Sequence, residues 1–392
     1  MSGDADDFES ILAAALDERR GAHLLRQIQS FRPVDAIHVE LDGIRYTNFS
    51  SNNYLGLTHH PRVIAAVIDA TRDSGAGAGG SALITGHTAY HRSAERALAA
   101  WKGTEAAVLL PSGYQANHAA VQTITAAAEA RGASVRFLLD RLVHASLIDA
   151  VRASSAAFRV FAHNDLAKLT RLLQDAGPGQ LQVVVTESIF SMDGDAAPLA
   201  ALADLKRLHP FVLLLDEAHG SGVYGSAGAG LAAELNVTGA VDLFIVTLSK
   251  AIGSSGGAIC ASRRLCDAVV NFGRAYVYST AVSPGVAAAC AAAIEVMREE
   301  PQRQRRVREL AARVRSAFAL PGDSPIIPVV LGESSAALAA AEELRNERLL
   351  VLPVRPPTVP RGTSRLRVTL SSDHSDDEVA HLIDQLRRCQ SR

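Results

Sequence analysis

Short apolar runs recur between residues 60 and 260 of the 392-residue chain. Turn or polar residues bound each run, and the segments between them carry apolar residues at helical spacing. The runs are AAVLLP (106–111), VRFLLD (135–140), LQVVVTE (181–187), FVLLLDE (211–217) and DLFIVT (242–247). Strands that are apolar on both faces and alternate with helices are typical of a mainly parallel sheet covered on both sides. The pattern therefore predicts the α/β fold class, with a large domain whose sheet is flanked by helices.

The two ends of the chain predict smaller units. Residues 6–30 have apolar positions at helical spacing, which indicates an amphipathic helix whose apolar side needs a partner surface. Alternation around Asp42 and Gly43 indicates a β-hairpin. After Pro284, a helical region is followed by short strands mixed with helices, as in a smaller C-terminal α/β domain. We divide the chain into an N-terminal helix and hairpin (1–50), a large ligand-binding domain (51–284) and a small domain (285–392).

Composition and charge narrow the class of protein. The chain is 48% hydrophobic and 20% charged with a net charge of -2, which excludes a disordered tail or an electrostatic nucleic-acid binder. Its four cysteines form no CxxC pair and none has a histidine at metal-ligand spacing, so we expect reduced thiols and no metal site. The first ten residues are acidic, and no long apolar run suggests a membrane span. We expect a soluble cytoplasmic protein with neither a nucleic-acid nor a membrane partner.

Polar residues directly beyond the apolar runs are the first candidates for function, because ligands of open α/β sheets bind at the carboxyl ends of the strands. Ser112, Gly113 and Tyr114 follow the first run and precede a helical segment, where free N–H groups suit an anion such as phosphate. A plain strand-to-helix turn is the alternative. His144 begins the helix after the second run. It could stack on a flat ligand or be a hydrogen-bonded structural residue.

The last two runs end in charged residues. Asp216 and Glu217 are costly to bury unless they are paired, so both need partners. Lys250 follows the final run and precedes a glycine-rich stretch that lets backbone approach a ligand. A buried lysine loses proton affinity, which a covalently reacting or proton-abstracting lysine requires; a surface lysine is the alternative. We expect the other lysines to be solvated; they are Lys102, Lys168 and Lys206.

Two motifs point to other classes of protein and fail on context. The sequence DEAH (216–219) also occurs in nucleic-acid helicases, but these need a phosphate loop of the form GxxxxGKS/T, which the chain lacks. The segment GAGAGG (75–80) matches the dinucleotide fingerprint, but the residues before it have helical periodicity rather than the required strand.

A series of motifs resembles the α-oxoamine synthases, which are fold-type I pyridoxal phosphate enzymes. The motifs are SNNYLGL (51–57), GAGAGGS (75–81), PSGYQAN (111–117), DRLVHASLIDA (140–150), TESIFSMDGDAAPL (186–199), DEAHGSGVYG (216–225), TLSKAIGSSGG (247–257), VYSTA (277–281) and RPPTVPRGTSRLRVTL (355–370). Enzymes of this family condense an amino acid with an acyl thioester and release carbon dioxide. The resemblance implies a pyridoxal phosphate-dependent acyltransferase.

The resemblance also implies roles for individual residues. Lys250 would bind the cofactor covalently, His144 would stack on its ring, and Asp216 would pair with the ring nitrogen. Together with His219 these form the expected catalytic set. The expected cofactor-binding residues are Gly113, Tyr114, His144, Ser191, Asp216, His219, Thr247, Lys250 and, from a neighbouring subunit, Ser279 and Thr280. The expected substrate-binding residues are Arg26, Asn52, Arg355, Thr358 and Arg367, of which Arg367 would grip the amino-acid carboxylate.

Two segments favour one branch of the family. RPPTVP (355–360) and FAHND (161–165) are similar to the members that join L-alanine to a pimeloyl thioester in biotin biosynthesis. Members that use glycine or serine, or other acyl donors, share the same machinery and remain the alternative, as does a non-catalytic partner subunit. The family resemblance further implies a homodimer with shared sites.

Overall fold

A seven-stranded sheet lies at the centre of the protein, in a computed structural model that describes residues 7–390. Its strands lie in the order β4-β10-β9-β8-β7-β5-β6. The strands of the chain are β1 (Arg32–Pro33), β2 (His38–Leu41), β3 (Ile44–Asn48), β4 (Ala106–Leu110), β5 (Val135–Asp140), β6 (Ala157–Phe161), β7 (Leu181–Glu187), β8 (Val212–Asp216), β9 (Leu243–Thr247), β10 (Gly257–Ala261), β11 (Ile326–Gly332), β12 (Leu349–Leu350), β13 (Pro353–Val354) and β14 (Ser364–Thr369).

Helices separate most of these strands along the chain. They are α1 (Phe8–Gly21), α2 (Pro61–Ser74), α3 (Ala89–Lys102), α4 (Gly113–Glu129), α5 (Ala145–Ala153), α6 (Leu166–Gln174), α7 (Leu199–Leu208), α8 (Leu231–Glu234), α9 (Arg263–Phe272), α10 (Arg274–Val277), α11 (Pro284–Glu299), α12 (Gln302–Ala317), α13 (Ser334–Asn346) and α14 (Asp376–Gln390). The α/β prediction is confirmed.

The central sheet is buried on both faces. Phe137 and Leu138 are neighbours on β5 and both fully buried, yet they belong to different hydrophobic cores. Because successive side chains of a strand point to opposite faces, this arrangement requires an unbroken apolar run. The five runs singled out in the sequence all form strands of this sheet.

Two strands of the sheet escaped prediction. The edge strand β6 is mostly exposed and carries Arg159, so it has no apolar run. The strand β10 (GAICA) begins in the glycine-rich stretch after Lys250 and is short. It runs antiparallel to both of its neighbours, whereas the other paired neighbours in the sheet are parallel.

The N-terminal helix is shorter than predicted. It ends at Gly21 rather than near residue 30, and His23 beyond it adopts a left-handed conformation with φ of 56°. No residue of α1 is buried, and Phe8, Ile11 and Leu16 are largely exposed. The partner surface that its apolar side needs is therefore absent from the described part of this chain.

The hairpin and the C-terminal elements share a sheet. The predicted hairpin forms from β2 and β3, and β12 adds to β3 in parallel. A separate sheet has the order β11-β14-β13. The helical region after Pro284 is two helices, α11 and α12, broken at Pro301, and α11 packs against α2 and α3. The division into residues 1–50, 51–284 and 285–392 stays a prediction.

Residues 7–390 were also searched for membrane-spanning helices and metal clusters. No helix within this range is both long and apolar enough to cross a membrane. No group of three or more His, Cys, Asp or Glu side chains within it is arranged to hold a metal ion.

Lys102 corrects the expectation of a solvated ammonium. It is 3% exposed and forms an ion pair with the fully buried Glu217. The ammonium also donates to the backbone carbonyl of Ala229, and Glu217 accepts from the backbone N–H of Ala232 at 3.0 Å. Glu217 therefore has the partner that its position beyond a buried strand requires.

We expect Lys102→Met to lower the free energy of unfolding by roughly 3–5 kcal/mol, because Glu217 is then buried without a counter-charge. Urea denaturation measures the change. The double variant Lys102→Met/Glu217→Gln should recover part of the loss, and a single variant as stable as the wild type would contradict the structural role of the pair.

Candidate active site

A cavity of about 330 Å³ lies at the carboxyl ends of the central strands. It brings together many of the residues predicted from separate motifs: Asn52, Gly113, Tyr114, His144, Ser191, Asp216, His219, Thr247, Lys250 and Arg367. A larger, mostly apolar groove of about 930 Å³ lies around Leu181 and Val212, at the amino ends of β7 and β8. None of the predicted residues lines this groove. The predicted chemistry is therefore concentrated in the smaller cavity.

Lys250 is a half-buried residue that lines this cavity. Its Nζ forms no hydrogen bond or ion pair with the residues that the structure describes. Burial and the nearby charge of Arg367 lower the pKa of Lys250, and the carboxyls of Asp216 and Glu187 only partly oppose that effect. A lysine in this state provides more neutral amine at physiological pH than a solvated lysine does.

A hydrogen-bond network connects Asp216 to His144. The Asn117 amide donates to Asp216 Oδ2 at 3.0 Å and to Ser146 Oγ at 2.8 Å. The Ser146 hydroxyl lies 2.7 Å from His144 Nδ1, which also accepts from the Ser146 backbone N–H at 3.2 Å. Because Nδ1 acts as an acceptor, the neutral His144 ring carries its proton on Nε2.

Asp216 and Glu187 form a buried pair of carboxyls. They are partners at the ends of the adjacent strands β8 and β7. Burial and the neighbouring Asp216 raise the pKa of Glu187 well above its ordinary value. Burial also raises the pKa of Asp216, while hydrogen bonds from Asn117 and the Ala218 backbone N–H oppose that rise. Two such groups do not both ionise readily, so Glu187 holds the proton and Asp216 is the stronger acid.

His219 is held neutral on another wall. Its burial and the nearby positive charge of Arg367 lower the pKa of His219 well below its ordinary value. Its Nδ1 lies 2.7 Å from the hydroxyl of Tyr54, which donates to Asn52 Oδ1 at 3.1 Å. These contacts fix the orientation of the imidazole ring within the cavity.

Arg367 is oriented by two contacts. Its Nε donates to the Ser191 backbone carbonyl at 2.5 Å, and its Nη1 donates to Asn52 Oδ1 at 3.1 Å. The guanidinium is therefore held by two residues that lie far apart in the sequence, Asn52 and Ser191. It lines the same cavity as Lys250, where a substrate carboxylate could bind.

The start of α4 offers donors to an anion. The Ser112 hydroxyl caps this helix by accepting from Gln115 N at 3.1 Å. The first backbone N–H groups, those of Gly113 and Tyr114, have no partner among the described residues. A Cβ added at Gly113 would lie 2.5 Å from Thr247 Oγ1, so only glycine lets the helix start approach this hydroxyl. The N–H groups, the hydroxyl and the helix dipole together suit a phosphate.

A second cavity of about 900 Å³ continues from the first and shares His144, Ser191 and Met192 with it. Arg26 and Thr358 line it, and the Arg26 guanidinium donates to the Thr358 hydroxyl at 3.1 Å. Two of the five predicted substrate residues therefore lie here rather than beside Lys250.

Arg355, Ser279 and Thr280 line neither cavity. Arg355 donates to the His23 backbone carbonyl, and burial and the neighbouring Arg26 charge lower the pKa of Arg355. Ser279 Oγ accepts from Gln115 Nε2 at 3.0 Å, close to the start of α4. The expectation that Ser279 and Thr280 reach a phosphate in a neighbouring subunit stays a prediction.

The sequence prediction missed several residues of the site. Asn117, Ser146, Glu187 and Tyr54 line or brace the cavity through the contacts above. All four lie inside the quoted motifs, which is the signal that could have identified them.

His163, in the FAHND segment, joins two carboxylates. Its Nδ1 lies 3.0 Å from Asp140 Oδ1, and its Nε2 lies 2.7 Å from Asp195 Oδ2. Burial opposes a charge on His163, but the hydrogen bonds to Asp140 and Asp195 outweigh it and raise the pKa of His163 to about 9. The bridge therefore ties the end of β5 to the loop after β7.

We expect this bridge to make stability depend on pH. The pKa of His163 is higher in the folded state than its ordinary value of 6.5, so its contribution is complete below about pH 6.5 and is lost as pH rises through about 9. The difference in free energy of unfolding between the wild type and His163→Gln should shrink over this range. The control His209→Gln removes a histidine that forms no ion pair among residues 7–390; a pH-independent difference for His163→Gln would contradict the prediction.

Comparisons with known proteins show the family to which the chain belongs. Residues 44–386 match the family model for aminotransferase class I and II, and the chain therefore belongs to that family. Relatives named 8-amino-7-oxononanoate synthase include proteins from Cellvibrio japonicus and Alkalilimnicola ehrlichii. The first is 39% identical over 386 residues, covering 97% of this chain and 95% of the relative. The second is 39% identical over 390 residues, covering 97% and 98%.

A solved structure extends the likeness to the whole fold. Serine palmitoyltransferase from S. paucimobilis, with bound PLP–myriocin, is 25% identical with a TM-score of 0.90, and 99% of each chain is covered. The resemblance to α-oxoamine synthases and the fold-type I prediction are confirmed.

Proposed function

We propose that this protein is a pyridoxal phosphate-dependent acyltransferase that condenses L-alanine with a pimeloyl thioester. The products are 8-amino-7-oxononanoate, carbon dioxide and the free thiol of the carrier, a step of biotin biosynthesis. The proposal is supported by the name shared by relatives that are 39% identical over 97% of this chain. The observation that carries it is one cavity lined by both a half-buried lysine of lowered pKa and a buried, hydrogen-bonded aspartate.

The residues of the cavity fit pyridoxal phosphate. Gly113 N, Tyr114 N and Thr247 Oγ1 would hold its phosphate, and Asp216 would hold the proton on its ring nitrogen. His144 would lie against the ring, while Ser191 and His219 would face its phenolic oxygen. When bound, the cofactor supplies an aldehyde that links to amines and a protonated ring that accepts the electron pair released at the substrate Cα.

Lys250 would act twice in the reaction. Its side chain would first hold the cofactor covalently and would then, as a free amine displaced by the substrate, take the Cα proton of alanine as a general base. The lowered pKa of Lys250 favours the neutral amine that both roles need.

Arg367 would position alanine for that proton transfer. Its guanidinium, braced by Ser191 O and Asn52 Oδ1, would bind the substrate carboxylate in a two-bond fork. Fixing the carboxylate sets the direction of the Cα–H bond relative to Lys250. Arg26, Arg355 and Thr358 would bind the acyl thioester, because Arg26 and Thr358 line the adjoining cavity and Arg355 lies beside Arg26.

We also propose that the protein works as a homodimer in the cytoplasm. Tyr278 and Ile84 have large, exposed apolar side chains. Tyr278 directly precedes Ser279 in the chain. Ile84 follows three residues after Ser81, which forms a β-bridge with Thr280. A second copy covering them would bring Ser279 and Thr280 to its own cavity edge. The buried thiols of Cys260, Cys266 and Cys290 form no disulfide, as is usual in a reducing compartment. Sedimentation equilibrium of the wild type and of Ile84→Glu tests the dimer; a monomeric wild type would contradict it.

The reaction is tested by mass spectrometry of the product. Purified protein with pyridoxal phosphate, L-alanine and pimeloyl-CoA should release 8-amino-7-oxononanoate. Parallel assays with glycine or serine and with acyl-CoAs of other lengths distinguish the related activities. A product from serine or glycine but not alanine would overturn the proposed substrate while leaving the class of reaction intact.

A further inference from the structure

We propose that Arg141 selects the acyl donor by binding the carboxylate at the far end of its chain. The inference rests on the proposed function and deepens it, because it identifies what distinguishes a dicarboxylic acyl group from an ordinary fatty acyl group. A pimeloyl thioester carries a free carboxylate at the end opposite the thioester. A site for it must therefore offer a cation at a distance from the reacting carbon.

The adjoining cavity of about 900 Å³ has the composition that such a chain needs. Leu142, Ile148, Phe190 and Val359 give it apolar walls that suit methylene groups. It shares His144 with the cofactor cavity and so reaches the place where the acyl carbon would react. Arg141 is one of the residues that line this cavity.

Arg141 has no partner of its own. The side chain is exposed and makes no hydrogen bond or ion pair within residues 7–390. Its neighbour Asp140 is fully engaged, accepting from Leu142 N and Asn164 N at 2.8 Å each and contacting His163. An unpaired guanidinium in a substrate cavity is prepared to bind a carboxylate.

The other carboxylates around this cavity are also engaged. Asp193 pairs with Arg365 at 2.6 Å, and Asp149 accepts from the Tyr114 hydroxyl at 3.0 Å. Asp195 is bound by His163. Among the described residues, none of these carboxylates forms an ion pair with Arg141.

The spacing along the chain allows Arg141 to reach the far end of an acyl group that reacts beside His144. Arg141 and His144 are three residues apart, so their Cα atoms are at most about 10 Å apart. An extended seven-carbon acyl chain has a comparable length, and the backbone here is fixed because Arg141 N donates to Phe161 O at 3.0 Å. Arg26 differs from Arg141 because its guanidinium donates to Thr358 and lies beside Arg355. The two neighbouring cations, Arg26 and Arg355, are better suited to the phosphates of a thioester carrier.

The experiment compares two thioesters that differ only at the far end. Pimeloyl-CoA and heptanoyl-CoA have the same number of acyl carbons. The acyl chain of pimeloyl-CoA ends in a carboxylate, and that of heptanoyl-CoA ends in a methyl group. Their dissociation constants for the holoenzyme are measured by isothermal titration calorimetry with the wild type, Arg141→Gln, Arg141→Lys and Arg26→Gln. Arg152→Gln removes an equal, exposed charge on α5 outside both cavities and is the control.

We expect the wild type to bind pimeloyl-CoA roughly 10- to 100-fold more tightly than heptanoyl-CoA. Arg141→Gln should abolish this preference while leaving heptanoyl-CoA affinity unchanged, which also shows that the variant is folded. Arg141→Lys should keep part of the preference. Arg26→Gln should lower the affinity for both thioesters by the same factor. Arg152→Gln should bind both thioesters as the wild type does.

Two results would overturn the assignment: a wild type without preference, or an Arg141→Gln variant that retains it. A different result separates the assignment from the proposed function. If the preference depends on Arg141 but no product forms from alanine and pimeloyl-CoA, the assignment of Arg141 stands and the proposed reaction fails.

Discussion

Replacing Lys250 by methionine is expected to reduce turnover by at least about 10⁴-fold, because one group both anchors the cofactor and removes the substrate proton. Lys250 lines the cavity without a hydrogen-bond or ion-pair partner among the described residues. Exchange of the alanine α-hydrogen with solvent deuterium, followed by nuclear magnetic resonance, measures the proton step apart from acyl transfer.

Lys168→Met is the matched control, because Lys168 lies on α6 outside both cavities. Borohydride reduction of the wild-type holoenzyme should label the peptide containing Lys250 and no other. Exchange at the wild-type rate in Lys250→Met, or label on another peptide, would disprove the assignment of the base.

Asp216→Asn is expected to slow α-hydrogen exchange by up to about 10³-fold while the cofactor remains bound. An opposite charge at about 4 Å contributes roughly 4 kcal/mol at an effective dielectric of 20, which corresponds to about 3 pK units on the ring nitrogen. Asparagine can keep the contact with Asn117 but cannot supply the charge. The absorption spectrum of the bound cofactor reports retention, and deuterium exchange reports the rate.

Glu187→Gln provides the comparison, since it alters the adjacent carboxyl of the pair. Burial and the neighbouring Asp216 raise the pKa of Glu187 more strongly than burial raises that of Asp216. We therefore expect Glu187→Gln to slow α-hydrogen exchange far less than Asp216→Asn does. Equal losses in the two variants would mean that the charge is shared and that the assignment of the stronger acid is wrong.

The sequence predicted the fold wherever burial left a continuous pattern. The strands of the central sheet with apolar runs were identified because both of their faces are covered, as Phe137 and Leu138 illustrate. The edge strand β6 has one exposed side and was missed. The end of α1 was misplaced because apolar spacing continues past Gly21, whereas the backbone turns left-handed at His23.

The candidate site was predictable to a different degree. Residues at strand ends, such as Lys250 and Asp216, were identified from position and chemistry. Asn117 lies inside an alanine-rich helix, where a polar residue ordinarily faces solvent, and only its contacts with Asp216 and Ser146 reveal its role. Lys102 was misjudged for the opposite reason, because its buried partner Glu217 lies far away in the sequence.

The hydrogen bond between Asn52 and Arg367 has a consequence for biosynthesis. The residues of one subunit that would hold the vitamin B6 coenzyme have all been translated once Lys250 is made. Arg367, which would bind the carboxylate of alanine, is translated near the end of the chain. A nascent polypeptide can therefore assemble the coenzyme pocket before it can hold alanine, and the final segment completes the enzyme by closing onto a residue made at the beginning.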